Sequence, residues 1–311
     1  MIAYTELDNQ TISNIFTQVM THFMKRFNDE VKDIQKVLIE TIIEIYETIK
    51  TNLLPTPKKS HYTFNLRDIS KVFQGICNAS LKYCNSKHNI TKLWYHEIFR
   101  VFGDRLINEE DRNYLNEQLE VNLPKFGFNS MNEMHEGKNI IFCDFWNGKD
   151  QEPRHYQEVM DEKKFIEKIY EFQDEYNNDP KFSGPRGKNA MKLVLFKDAC
   201  EHISRIVRII RQPSGNTLLL GVGGSGRQSL AKMAIFISNH TLTYIELIKN
   251  YSMKSWREDI KTILMQTGLE NKQTSFLFTD TQIINEQMVE DLNSILNSGD
   301  VTGLYNEKDM D

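Results

Sequence analysis

Apolar side chains recur at Val31, Ile34, Leu38, Ile42, Ile45 and Ile49, a three-to-four spacing that predicts one helix over residues 29–50. Leu53-Leu54-Pro55-Thr56-Pro57 stops that helix, because the residue before a proline is pushed out of the α region. Asn65 then reads as the N-cap of a further helix, and Thr91 to Leu106 as another. Residues 1–120 are thus expected to be almost wholly helical. Between about 108 and 186 the pattern weakens. Ile140 to Phe145 reads as a short strand, Met160 to Asn177 as a charged helix, and the Pro- and Gly-containing run Asn178 to Gly187 as a linker. Leu193 to Ile210 starts strand-like and continues as an amphipathic helix. From Asn216 onward strands and helices alternate. Strands are expected at Leu218–Leu220, Leu242–Leu247 and Phe276–Phe278, with helices from Leu230, from Ser252 to Gln266 and from Glu286 to Leu296. That alternation predicts an α/β fold with a parallel sheet. No internal repeat is visible.

Between the first of those strands and its helix lies Gly221-Val222-Gly223-Gly224-Ser225-Gly226-Arg227-Gln228-Ser229. A strand, a glycine-rich loop and a helix in succession are the layout of a phosphate-binding P-loop, G-x-x-x-x-G-K-[ST]. Gly221 and Gly226 fit it, but Arg227 stands at the lysine position and Gln228 at the Ser/Thr position. Glycines let successive backbone N–H groups converge on an anion, and the helix adds its positive N-terminal end. None of that needs Lys or Ser. Arg227 keeps the charge as a planar fork in place of a compact ammonium. Gln228 is the larger loss, since the hydroxyl normally found there ligates Mg²⁺. Ser229 comes one residue late, rotated by roughly 100° on an ideal helix.

Ser275-Phe276-Leu277-Phe278-Thr279-Asp280, about 50 residues further on, is an apolar strand ending in an acid, the form of a Walker B segment. Asp280 can hold Mg²⁺ through water; standing alone, it would be an ordinary strand-end acid. The next residue is Thr281, where AAA+ ATPases typically carry the Glu that positions the attacking water. Losing a general base costs about 10²–10⁴ in rate. No catalytic residue is therefore assigned.

Composition narrows the classes. A net charge of −5 over 311 residues, with no basic run interleaved with aromatics, argues against a nucleic-acid partner. No apolar stretch reaches the roughly 18 residues of a membrane span, and Met1 to Glu6 lacks signal-peptide character. Cys77, Cys84, Cys143 and Cys200 are too scattered for a zinc site or a disulfide frame and read as reduced cytosolic thiols. His61, His96 and His202 read as structural residues.

Five segments together resemble dynein heavy chains of the axonemal type. They are Leu53 to Asp68, His96 to Leu106, Gly221 to Leu230, Trp256-Arg257-Glu258-Asp259 and Phe276 to Thr281, in that order along nearly the whole chain. The exchanges at Arg227, Gln228 and Thr281 are themselves similar to the fourth ring module of axonemal dyneins. The resemblance implies a helical AAA+ lid of the third module over 1–120, a linking region over 121–187, and an incomplete P-loop AAA+ parallel-sheet core of the fourth module over 188–311. It implies ATP or ADP at Gly221 to Ser229, with or without Mg²⁺ at Asp280. Arg67 matches the lid arginine that reaches the phosphates of its own module, whose P-loop would precede Met1; read from the sequence alone, Arg67 is equally a solvated helix residue. Implied partners are the other AAA+ modules of the same heavy chain. Intermediate and light chains and microtubules would be met through a much longer parent, in the axoneme of cilia or flagella. Motor activity would belong to that parent. In the AAA+ sheet the P-loop strand lies between the fourth and fifth strands. Residues 188–311 place only the first three, so Leu218–Leu220 is expected to lack both neighbours. Three functions stay open: a nucleotide-binding, non-hydrolysing module, a competent P-loop ATPase, and a nucleotide-free scaffold.

Overall fold

The computed structural model describes residues 6–305, the side chain of Arg186 excepted. Residues 1–5, read above for a leader, and 306–311 lie outside it. The chain divides into two compact units, 1–147 with 152–160, and 148–151 with 161–311.

The first unit is helical. Its elements are α1 (Asn9–Met24), α2 (Asp29–Asp33), α3 (Gln35–Asn52), α4 (Leu66–Ile76), α5 (Lys87–Val101), α6 (Glu109–Asn122) and α7 (Met131–His135), closed by the antiparallel pair β1 (Phe142–Cys143) and β2 (Gln157–Glu158). The expected single helix over 29–50 is broken at Ile34, where ψ turns to −4°. The break re-aims the chain so that Val31 before it and Leu38 after it are both fully buried. One core holds the apolar faces of α1, α3, α4, α5 and α6. The helix expected to end at Leu106 stops at Val101, and a 3₁₀ turn at Gly103–Arg105 follows. Gly103 lies so close to Phe99 that a Cβ there would stand 2.9 Å from its ring.

Asn65 caps α4 with a complete capping box. Its side chain accepts from Arg67 N at 2.9 Å, and Asp68 accepts from Asn65 N at 3.0 Å. The same Asp68 is buried and takes the Arg105 guanidinium, at 3.2 Å from Nη1 and in a short contact from Nη2. His61 Nε2 meets Arg105 O at 2.9 Å. Two of the segments singled out in the sequence, 53–68 and 96–106, are therefore joined through Asp68 and Arg105. His96 is buried between Ile140 O and the Tyr156 hydroxyl, a structural place as expected.

The second unit contains α8 (Glu162–Asn178), the single turn α9 (Pro180–Ser183), α10 (Lys197–Ile210), α11 (Arg227–Ile237), β3 (Thr241–Tyr244), α12 (Met253–Gly268), β4 (Thr274–Leu277) and α13 (Glu286–Ser298). β3 and β4 are parallel, with Thr241 opposite Thr274 and Tyr244 opposite Leu277, and α12 makes the crossover. The run read as a linker, 178–187, is in part packed helix: Asp179 caps Pro180–Ser183, and Phe182 stacks edge-on to Phe236 of α11. The strand-like start before α10 is extended but joins no sheet among the described residues. Instead it runs antiparallel along α8, where the Tyr170 hydroxyl and the Gln173 and Asn177 amides accept the N–H groups of Leu195, Leu193 and Met191 at 2.7–3.0 Å. A three-to-four spacing on the helix meets a two-residue spacing on the extended chain. Trp256 is fully buried between α12 and β4 and donates to Asp291 of α13 at 2.9 Å. That contact gives Trp256 a packing role.

All four cysteines are free thiols. Burial pushes Cys77 up to about 11, and Cys84 and Cys200 up to about 12.

Candidate functional site

Leu218–Leu220, expected as a strand, makes no ladder among the described residues. Its exposure alternates, with Leu218 83% and Leu220 76% exposed while Thr217 and Leu219 are half-buried. The chain then turns through the glycine loop into α11. Gly224 and Gly226 both take φ +78°, a left-handed conformation that only glycine adopts without cost. Ser225 N donates to Val222 O at 3.3 Å, closing the turn. Gly226 is the N-cap of α11 and supplies no side-chain cap. The first N–H groups of an eleven-residue helix therefore open beside the loop. An added Cβ at Gly223, Gly224 or Gly226 would meet nothing within 4 Å, so the glycines leave open space around the turn. Uncapped helix N–H groups, left-handed glycines and an adjacent cation suit a phosphate group.

Arg227 does not point freely outward. Its guanidinium donates to Leu219 O at 3.5 Å and to Val222 O at 3.3 Å, and its Cδ lies 3.5 Å from the place a Cβ of Gly221 would take. The arginine lies along the loop that it was expected to serve. Gln228 is exposed on the first turn of α11 and Ser229 half-buried behind it.

Asp280 sits at the start of a 3₁₀ turn, Asp280–Gln282, directly after the β4 segment. It is exposed, and its Oδ1 accepts from Thr281 N at 2.9 Å. The Thr281 hydroxyl, where the sequence pattern calls for a water-orienting Glu, turns back to Thr279 Oγ1 at 3.0 Å. No group of three or more His, Cys, Asp or Glu is arranged to hold a metal among the described residues. Asp280, expected to hold Mg²⁺ through water, has an exposed carboxylate that leaves room for a water on that side.

The loop and Asp280 belong to one compact unit, and no hydrogen bond or ion pair joins them among the described residues. Arg67 belongs to the other. It is exposed on the first turn of α4, held there by the Asn65 cap, while its neighbour Asp68 turns into the core. Sequence reasoning overlooked Gln282. Its side chain binds Thr279 N at 2.7 Å and also reaches Ile245 O beyond β3. A signal existed, since Thr279-x-x-Gln282 is the capping-box pattern.

A model of the P-loop containing dynein motor region D4 matches residues 191–311, and one of the dynein heavy-chain ATPase lid domain matches residues 9–112. The chain belongs to the dynein heavy-chain family. It is 41% identical over its whole length to mouse dynein axonemal heavy chain 1, of which it spans 7%. Over 94% of its length it is 43% identical to human dynein axonemal heavy chain 2, spanning 6% of that protein. Over 97% it is 39% identical to a Chlamydomonas reinhardtii protein, the dynein-1-beta heavy chain of the flagellar inner arm I1 complex, and again spans 7%. The dynein lid match covers the helical unit from α1 to the start of α6. The dynein D4 match covers the extended segment after α9, the glycine loop and the parallel pair β3–β4. No helix among the described residues is long and apolar enough to cross a membrane.

Proposed function

We propose that this chain is part of the motor ring of an axonemal dynein heavy chain, and that Gly221 to Ser229 binds ATP or ADP without hydrolysing it. The observation that carries the reading is the uncapped N-terminus of α11 beside two left-handed glycines, combined with Thr281 turned onto Thr279 where a catalytic carboxylate would stand. The backbone cradle supplies anion binding. Arg227 offsets phosphate charge once it leaves the loop carbonyls, and Asp280 carries a metal-bound water where Mg²⁺ accompanies the nucleotide. Thr281 offers no carboxylate to activate the attacking water. Occupancy is thus favoured over turnover.

In this reading residues 1–120 are the lid of the preceding module, with Arg67 a phosphate sensor for that module's nucleotide. Residues 121–187 connect it to the P-loop core that starts at 188. The neighbouring AAA+ modules of the same heavy chain are the immediate partners. Intermediate and light chains and microtubules belong to the complete motor, in the axoneme of cilia or flagella.

The test is equilibrium binding of a fluorescent adenine nucleotide to the purified chain, with phosphate release measured in parallel. Saturable binding without phosphate release is expected. Steady release abolished by Arg227→Ala would establish a hydrolase instead. Absence of binding would favour a nucleotide-free scaffold, a reading supported by Arg227 lying on the Leu219 and Val222 carbonyls.

A further inference from the structure

The β3–β4 ladder ends in an unusual rung. Thr241 N donates to Gln273 O at 2.8 Å while Thr241 stands opposite Thr274. In a parallel pair the bonds are evenly spaced and slanted, so within β3 residues 241 and 243 bond this way, and the next in the series is Ile245, just beyond the strand. Continuing that register calls for Thr279 N to donate directly to Ile245 O. It does not. Thr279 N donates to Gln282 Oε1 at 2.7 Å, and Gln282 Nε2 donates to Ile245 O. A side-chain amide is thus inserted between two backbone groups that the register would pair. Gln282 Oε1 also accepts from Thr279 Oγ1 at 3.1 Å, and Gln282 N donates to Thr279 O at 3.0 Å.

The bridging amide lies immediately before Asp280, just past the last paired residues Tyr244 and Leu277. It also starts the 3₁₀ turn of which Asp280 is the first residue. Within that turn Thr281 N engages Asp280 Oδ1 at 2.9 Å, and Oδ2 has no protein partner among the described residues. A helix cap alone would need only the acceptor half of the amide. The donor half reaches Ile245, the residue after β3, and so ties the turn that begins at Asp280 to the end of that strand. We propose that Gln282 is a positioning residue that sets the Asp280 carboxylate for the hydrated Mg²⁺ of a bound nucleotide. The assignment rests on the nucleotide reading given above.

Two variants separate the halves of the amide. Gln282→Glu keeps the acceptor that caps Thr279 and loses the donor to Ile245. Gln282→Met loses both at similar volume. ADP affinity of the full chain is measured in Mg²⁺ and in EDTA, with amide hydrogen exchange at Thr279 followed alongside. The wild type should bind more tightly in Mg²⁺. Both variants should lose up to about 10-fold of that Mg²⁺-dependent gain, the lower end of the cost of removing a group bonded directly to a metal ligand, since Gln282 acts on Asp280 through the turn. The Met variant should keep its affinity in EDTA. Thr279 exchange should accelerate in the Met variant and stay slow in the Glu variant, which shows that the Glu variant has folded. A Glu variant with an undiminished Mg²⁺ gain would overturn the proposal, because the cap alone would then suffice. Equal losses in Mg²⁺ and EDTA would overturn it too, leaving Gln282 a stabilising cap. A wild-type chain that binds no nucleotide in either condition refutes the nucleotide reading, and the proposal falls with it. A wild type with the Mg²⁺ gain and variants that retain it refute the proposal alone.

Discussion

Arg227 shows how one exchange alters a phosphate loop. A guanidinium stays charged at any physiological pH and presents a fork of donors, and here two of them reach the Leu219 and Val222 carbonyls. A lysine offers one rotatable ammonium with fewer directional demands. Replacing Arg227 by Lys and Gln228 by Thr restores the ammonium and the hydroxyl while leaving the glycines alone. The double variant should bind nucleotide with a stronger Mg²⁺ dependence, on the order of tenfold, since one hydrogen bond to a charged group is worth about 1.5–3 kcal/mol. Titrations with and without Mg²⁺ measure it directly. An unchanged dependence would place residue 228 away from the metal.

At the scale of elements, the stretch between α3 and α4 is held by polar contacts rather than by helix. Asp111 of α6 accepts from the Tyr62 hydroxyl at 2.8 Å and from Lys59 Nζ at 2.6 Å. Burial pushes the Asp111 carboxyl up, but hydrogen bonds from Lys59 and Tyr62 outweigh it and hold the group below the usual carboxylate range. A carboxyl depressed in the folded state stabilises above its unfolded value of about 3.9, and loses that contribution as pH falls through the folded value. The helical unit should therefore lose stability below about pH 4 partly through this group. Asp111→Asn should cost about 1–3 kcal/mol at pH 7, the range for leaving one buried group, here the Tyr62 hydroxyl, poorly satisfied. The gap between variant and wild type should close as the pH drops towards 3. Urea melts at pH 7 and pH 3 check both claims; a gap that is equal at the two values would exclude the ionised carboxylate as the cause.

For the whole molecule, the decisive feature is what each unit needs in order to close. The helical unit buries a continuous core of its own. In the second, the extended segment at 191–195 relies on Tyr170, Gln173 and Asn177 of α8 for its N–H groups. Leu218, Leu220 and Val222 remain 76–83% exposed, and apolar strand edges of this kind invite aggregation. A polypeptide of residues 188–311 lacks α8 and leaves those N–H groups unsatisfied, at about 1–3 kcal/mol for each one that stays buried. It should be aggregated or melt without cooperativity. Residues 161–311, which restore α8, should melt more sharply and at higher temperature. Circular dichroism and light scattering compare the two; equal behaviour would show that α8 is not part of what folds this unit.

Local signals were legible in the sequence wherever a single turn or a single dihedral decides the structure. Residue spacing locates helices but not the break at Ile34 or the stop at Val101, Asn65 reads as the cap it is, and the glycine run reads as a loop leading into a helix. The order of the five quoted segments was enough to point to the dynein family. Only the tertiary structure decided which distant residues meet. Asp68 with Arg105, Asn177 with Met191 and Gln282 with Ile245 are separated by 37, 14 and 37 residues. Thr279-x-x-Gln282 announces a cap but not that its amide also reaches Ile245 beyond β3, and an apolar run such as 217–220 announces an extended chain but not its neighbours. Periodicity and backbone preference act over a few residues, whereas these pairings depend on where packing brings separate segments together. That information lies in the closed core and not in any one stretch of chain.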